Sequence, residues 1–170
     1  MRELMALVSI ALLSACASTY KQEPVLTPSV KLERGKAVLI ATPKNGSYGK
    51  IEYSASGQQT AAVIHAAFVR YSNDVTVSRD CSDLSCLQGS GDQRYDYFVV
   101  PQILHWEDRN TEWSGLPDQI EVKIEISDAR RHKEISSIVI SGKSKWATFG
   151  GDHPQDLLPE PIKQYINGLY

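Results

Sequence analysis

The sequence predicts a single small α+β domain, in which a mixed β-sheet carries helices packed mainly on one of its faces. The first observation behind this prediction is the order of the elements, a β-α-β unit followed by three strands and a last helix. The second is the segment 120–126, where apolar and polar residues alternate as in a strand with one buried and one hydrated face. The third is a composition of 42% hydrophobic and 22% charged residues, which is typical of a globular protein.

The first half of the domain has the pattern of a strand, a helix and a second strand. The continuous apolar run 36–42 predicts a buried strand. Ser56 and Gln59 have the spacing of a capping box, which predicts a helix from Ser56 to about Tyr71. Alternation over 74–78 predicts the next strand, and a loop follows.

The second half has three predicted strands and a final helix. The segment 95–106 predicts a long strand with a bulge or a sheet edge at Pro101, because proline donates no ladder hydrogen bond. The segments 120–126 and 134–146 predict a hairpin. Pro161 suits the first turn of a helix that would lay its apolar stripe on the sheet.

Residues 1–15 are typical of a secretory signal peptide. Arg2 gives a positive start, weakened by Glu3, and the apolar run that follows is about ten residues long, too short to span a bilayer. The Leu-Ser-Ala that precedes Cys16 resembles the lipobox of bacterial lipoproteins. This resemblance implies cleavage before Cys16, a diacylglycerol on its thiol and an acyl chain, such as palmitate, on its amino group.

The residue after the cysteine bears on localisation. In Gram-negative lipoproteins Asp at that position favours inner-membrane retention, so Ala17 implies export to the outer membrane. We expect an anchor in the inner leaflet of the outer membrane, with the domain facing the periplasm; the alternative is the outer leaflet of the inner membrane. Residues 16–35, polar and with prolines, predict a lipidated terminus and flexible tether for a domain over 36–170.

The remaining cysteines and the charge restrict the class further. With Cys16 lipidated, Cys81 and Cys86 face an oxidising compartment as a pair, which predicts a disulfide rather than a zinc or redox site. The formal net charge of −2 gives no basic excess, which argues against a nucleic-acid partner. No cofactor and no metal are expected.

Candidate chemistry lies around two short segments. In the first, His105, Glu107 and Asp108 lie beside Trp106 and Trp113. On a strand His105 and Glu107 share one face and Asp108 takes the other. These residues suggest metal binding or acid–base chemistry, or they form surface ion pairs.

In the second segment, glycines and prolines over 149–159 predict a rigid, irregular loop. It is either a recognition loop with Trp146 and Phe149 as apolar anchors, or a support for the last helix. Asp152 and His153 would be two members of a triad, but no positioned nucleophile accompanies them.

From about Ala37 onward the chain resembles an uncharacterised family of bacterial lipoproteins, known as domain of unknown function 4823. The resemblance implies an envelope lipoprotein but brings no activity with it. It is carried by Ile40-Ala41-Thr42-Pro43, Gly46-Ser47-Tyr48-Gly49, the run 103–109, Thr111-Glu112-Trp113-Ser114-Gly115, Ser141-Gly142-Lys143-Ser144-Lys145-Trp146 and the run 149–159.

These observations predict a non-enzymatic lipoprotein, a binding or accessory module for an envelope protein complex or a cell-wall polymer. Its partners would be the lipid bilayer, through acylated Cys16, and an envelope component. The alternatives are a small-molecule or metal-binding lipoprotein and, less favoured, a hydrolase. A deep pocket with converging histidines and carboxylates would favour the alternatives, whereas a flat aromatic patch would favour the module.

Overall fold

The computed structural model describes residues 18–89, 94–109, 116–145 and 153–170. They form one α+β domain with a mixed sheet, as predicted. The sheet has six strands and is accompanied by three helices and a small two-stranded hairpin. The strands are β1 (Thr19–Leu26), β2 (Val38–Ala41), β3 (Ser47–Tyr48), β4 (Ile51–Glu52), β5 (Val75–Ser78), β6 (Tyr97–Glu107), β7 (Gln119–Asp128) and β8 (Lys133–Lys143). The helices are α1 (Ser56–Phe68), α2 (Leu84–Gly89), α3 (Pro159–Leu169) and a 3-10 turn, Pro154–Leu157.

The strand order in the sheet is β1-β8-β7-β6-β2-β5. Strand β2 runs parallel to both β5 and β6, and the remaining neighbours are antiparallel. The β-α-β unit therefore forms one edge of the sheet, and the antiparallel meander β6-β7-β8 continues to the other edge.

The main core lies between the sheet and α1, α3 and the 3-10 turn, because these elements share one apolar cluster with the sheet. Strand β7 shows how the sequence builds it. Val122 and Ile124 are fully buried, while Lys123 between them is only half-buried on the opposite face. A smaller cluster on that opposite face packs α2 and Cys81 against Phe98 and Val100.

Strand β1 corrects the prediction of a flexible tether over residues 16–35. Thr19–Leu26 pairs antiparallel with β8, from Thr19 opposite Lys143 to Leu26 opposite Ser137. Its side chains are almost all exposed, so its polar composition does not predict burial. Backbone hydrogen bonds to β8 hold an edge strand of this kind, and they leave no signature in the side-chain pattern.

Two local predictions are also corrected. Ser56 does not cap α1: the left-handed Ala55 occupies that position, and the Ser56 hydroxyl donates to the Tyr53 carbonyl at 2.7 Å and accepts from the Gly46 N–H at 2.8 Å. The bulge in β6 lies at residue 104 rather than at Pro101, since the register with β7 shifts between residues 103 and 105. The sheet edge, which was the alternative predicted for Pro101, is confirmed, because the pairing of β6 with β2 ends at Val99.

Candidate functional site at the end of strand β6

The bulge in β6 decides which side chains its last residues present. Beyond it, His105 lies opposite Glu121, Trp106 opposite Ile120, and Glu107 opposite Gln119. Trp106 therefore points into the main core, where it is 2% exposed. Trp106 is therefore a core residue, which corrects its inclusion in the candidate site predicted for this segment.

Glu107 is the centre of a buried polar cluster. It is 2% exposed, although it is charged and lies next to the end of a strand. Its Oε2 lies 3.3 Å from His105 Nε2 and accepts a 3.3 Å hydrogen bond from Gln119 Nε2, and its Oε1 forms an ion pair with Arg109. A buried carboxylate requires such partners, because its desolvation is otherwise uncompensated. The network therefore uses both carboxylate oxygens for structure.

The β3–β4 hairpin covers this cluster. The Tyr48 ring meets the His105 ring edge-on at 5.4 Å, and the Arg109 guanidinium lies 5.5 Å from the Tyr48 ring centroid, a cation–π distance. The hairpin approaches β6 so closely that a Cβ on Gly46 would lie 2.5 Å from Trp106 Cβ. The sequence signal for this cover is the run Gly46-Ser47-Tyr48-Gly49, whose role we did not predict.

A second set of contacts ties together the segments that flank the end of β6. His153 Nδ1 lies 3.8 Å from Asp108 Oδ2, so the two predicted candidate segments do converge at this point. The buried Asp118 accepts from the Arg109 N–H at 2.7 Å and donates its own N–H to the Ser144 hydroxyl at 2.9 Å. No sequence motif predicted that Asp118 would contact Arg109 and Ser144, because residues distant in sequence make these contacts.

The sheet face opposite α1 and α3 is covered by no described helix along β7, β8 and β1; we call this surface the open face. It carries ion pairs between Lys21 and Glu23 and between Lys123 and Glu125. The hydrogen bond that the exposed Lys21 donates to the Glu23 carboxylate raises the pKa of Lys21. Its members, placed by register, are Lys21, Glu23, Gln119, Glu121, Lys123, Glu125, Ser137, Val139, Ser141 and Lys143.

A groove of about 680 Å³ crosses the open face next to His105. Its charged lining residues are Lys21, Glu121 and Lys143, and Leu104, turned outward at the bulge and 50% exposed, forms an apolar border. The groove is an open channel on a sheet rather than an enclosed pocket. It can accept a polar, extended group, but it does not surround a small substrate.

Several predicted residues lie outside the described residues: Cys16, Trp113, Trp146, Phe149 and Asp152. Cys81 and Cys86 form a disulfide, with Cα atoms 5.3 Å apart. Cys81 precedes α2 and Cys86 lies within it, so the disulfide links the helix to the loop before it. Both cysteines pack in the smaller apolar cluster.

Within residues 18–89, 94–109, 116–145 and 153–170, no group of three or more His, Cys, Asp or Glu side chains has a geometry that could hold a metal ion. Among the helices of the same ranges, none has the length and apolar character needed to cross a membrane.

Comparison with known proteins identifies the family. The chain belongs to the family described as Domain of unknown function (DUF4823), whose model matches residues 30–169. This confirms the resemblance found in the sequence and shows that β1 lies before the matched region. No curated protein matches the chain.

Solved structures share the fold. The PelC dodecamer from Paraburkholderia phytofirmans aligns with a TM-score of 0.66 at 14% identity, covering 89% of this chain and 96% of that one. A DUF330 protein from Xanthomonas campestris aligns with a TM-score of 0.53 at 13% identity, covering 85% and 93%. Lipoprotein GNA1162 from Neisseria meningitidis aligns with a TM-score of 0.44 at 12% identity, covering 78% and 96%. At these identities the likeness concerns the fold alone.

Proposed function

We propose that this protein is a lipid-anchored, non-enzymatic accessory module of the bacterial cell envelope, and that it binds a protein partner through the open face of its sheet. The observation that carries the proposal is the open face itself. Strands β7, β8 and β1 turn a broad surface of half-buried and exposed side chains outward, and no described helix covers it.

The charge of the open face favours a protein partner over a highly charged polymer. Lys21, Lys123 and Lys143 balance Glu23, Glu121 and Glu125, so the surface has both signs interspersed and no net excess. Complementary mixed charges set specificity and orientation at protein interfaces. A polyanion would require an excess of cations on the same surface.

The polar cluster supports a binding module rather than a catalyst. Glu107 is enclosed and held by Arg109, Gln119 and His105. A carboxylate held in this way orients the neighbouring groups, and Glu107 is not among the residues that line the adjacent groove. The adjacent groove is open, which suits a protein surface more than an enclosed reaction site.

The membrane location rests on the lipobox at Cys16 and on the disulfide. Cys81 and Cys86 are joined, and disulfides persist in oxidising compartments such as the periplasm. We propose an outer-membrane anchor facing the periplasm, following Ala17. Fractionation of wild type and Cys16→Ala tests the anchor: the variant should leave the membrane fraction, and a variant that stays membrane-bound contradicts the lipid attachment.

The binding surface is tested by crosslinking and affinity recovery from intact cells with the lipidated protein. The informative variant is Lys123→Glu, at the centre of the open face, and the matched control is Lys163→Glu on α3. We expect Lys123→Glu to reduce recovery of one specific envelope partner at least about tenfold, since like charges across an interface cost several kcal/mol. Recovery should be unchanged for Lys163→Glu. Equal recovery with both variants contradicts the proposed surface.

The partner in this test includes a second copy of the chain. PelC from P. phytofirmans is described as a dodecamer, and self-association through the open face would appear as crosslinked oligomers that Lys123→Glu abolishes. The same variant pair therefore distinguishes a self-contact on the open face from one elsewhere.

A second candidate function is small-molecule binding in the groove beside His105. The groove volume of about 680 Å³ and the position of His105 in the groove lining favour it. The purified protein would then gain thermal stability with a polar metabolite, and His105→Ala would abolish the gain. Absence of any stabilising compound in a broad metabolite screen would contradict this second function.

A further inference from the structure

Strand β1 places the lipid anchor at one defined end of the sheet. Only Ala17 and Ser18 separate Cys16 from Thr19, and Thr19 pairs with Lys143 of β8. Three fully extended residues span at most about 11 Å. Whatever the path of those residues, an acylated Cys16 holds the bilayer surface close to Thr19.

We call the end of the sheet formed by Thr19, Glu107, Gln119 and Lys143 the anchor end; these residues lie side by side on the four strands β1, β6, β7 and β8. The opposite end lies at Leu26 and the β7–β8 turn. Seven residue steps of antiparallel strand separate Thr19 from Leu26, which is about 24 Å. The opposite end is therefore beyond the reach of the anchor unless the molecule lies flat on its β1 edge.

We propose that the anchor end is a membrane-docking surface, which seats the domain upright on anionic bilayer phospholipid. This inference rests on the proposed lipid attachment at Cys16. It replaces a domain that moves freely on a long tether with one whose sheet stands upright on the membrane. The part of the open face beyond the anchor end, around Lys123 and Glu125, is then held at a fixed height above the bilayer.

The surface chemistry of the anchor end fits phospholipid headgroups. Lys143 and Lys145 are exposed, and neither forms an ion pair with another described residue. Leu116, which leads into β7, is 53% exposed, and Tyr20 is 40% exposed. Exposed lysines next to amphipathic and apolar side chains bind the interface of an anionic membrane.

The other surfaces fit less well. At the opposite end Arg130 pairs with Asp96 and Arg131 with Asp128, so their charge is partly neutralised. Along the β1 edge, Lys21 is neutralised by Glu23. Val25 and Val30 are exposed there, so apolar exposure alone does not select the anchor end. Lys133 at the opposite end is also exposed and in no ion pair with another described residue, so the selection rests on the short reach from Cys16.

Lysine footprinting on the lipidated protein in vesicles tests this orientation. The probe is acetylation, read by mass spectrometry, in vesicles of phosphatidylethanolamine and phosphatidylglycerol, each site normalised to the same protein in nonionic detergent. We expect Lys143 and Lys145 to be labelled at least about fivefold less in vesicles, because they face the bilayer. Lys133, in the turn region of the opposite end, should be labelled equally in both.

A charge-reversal pair sharpens the test. In Lys145→Glu, protection of Lys143 should fall about fivefold or more, since one cation near an anionic surface is replaced by an anion. The matched control Lys133→Glu should leave protection of Lys143 unchanged. Both positions are exposed, so neither change threatens the fold.

The failures of the two proposals are distinguishable. If the protein does not sediment with vesicles and mass spectrometry shows no acyl group on Cys16, the lipid anchor itself is wrong. If it sediments but all lysines are labelled equally, only the docking surface is wrong. Protection of Lys31, which follows the β1 edge, together with labelled Lys143 would show the flat orientation and overturn the upright one.

Discussion

The two faces of the sheet are built from the same strands but are subject to opposite constraints. On the helix-covered face, Val122, Ile124 and Ile140 are fully buried. On the open face, Lys123 and Glu125 of the same strand pair with each other and remain in contact with water. The difference teaches that β7 is stabilised by packing on one of its faces, whereas on the other face Lys123 and Glu125 keep their contact with water; it is that second face that we propose as the partner surface.

The largest expected effect comes from comparing two neighbouring residues of β7, one on each face of the sheet. Ile124→Ala removes a fully buried side chain and should lower the free energy of unfolding by about 2–5 kcal/mol. Lys123→Ala, on the open face, should change it by less than about 0.5 kcal/mol. Urea unfolding of both variants measures the effect, and equal losses would contradict the assignment of the faces.

A pH titration tests the helix-covered face at Tyr165. Burial raises the pKa of Tyr165 to about 12, and its hydroxyl lies 2.8 Å from the Ser136 hydroxyl. The pKa of Tyr165 is higher in the folded protein than in the unfolded chain. The contribution of Tyr165 to the free energy of unfolding is therefore complete below pH 10 and is lost as the pH rises to 12. The loss should reach about 2–3 kcal/mol.

Thermal unfolding between pH 9 and pH 12 measures this loss. Tyr165→Phe should flatten the alkaline decline, at a cost of about 1 kcal/mol at neutral pH for the hydrogen bond. Tyr20→Phe, at an exposed tyrosine of β1, is the matched control and should leave the alkaline decline unchanged. A decline that persists undiminished in Tyr165→Phe would assign the titration to another group.

Glu107 is the exception on the open side of the sheet, because it is charged and yet buried. Glu107→Gln keeps the shape but removes the charge that faces Arg109, and should cost about 2 kcal/mol, less than for a fully buried pair since Arg109 is 35% exposed. Glu121→Gln, at a half-buried neighbouring position, is the matched control and should be nearly neutral. A neutral Glu107→Gln would show that the cluster is not a structural element.

The smallest expected effect concerns the disulfide beneath the smaller apolar cluster. Cys81→Ser with Cys86→Ser should cost at most about 2 kcal/mol, because the closed loop is short and removes little entropy from the unfolded chain. Recovery of the envelope partner should be unaffected, since the disulfide lies away from β7, β8 and β1. Loss of partner recovery in a folded variant would place the binding surface near α2.

The residue pattern determined most of the fold. Each of four elements has a residue spacing that reports which positions are buried: strict alternation in β7, an apolar run in β2, and an apolar stripe in α1 and α3. Their presence, and whether each is a strand or a helix, therefore followed from the sequence. The pairing of Cys81 with Cys86 also followed, because only two cysteines remain once Cys16 is assigned to a lipid. The family match over residues 30–169 agrees with the resemblance that these strings carry.

Tertiary structure decided what depends on contacts distant in sequence. Backbone pairing with β8, which no side-chain pattern reports, made Thr19–Leu26 a strand and placed Thr19 at one end of the sheet. The one-residue shift of the bulge reversed the faces of β6, so Trp106 entered the core while His105 turned outward. Register has a period of two, so a single extra residue exchanges inside and outside, and only the assembled sheet specifies where that residue is placed.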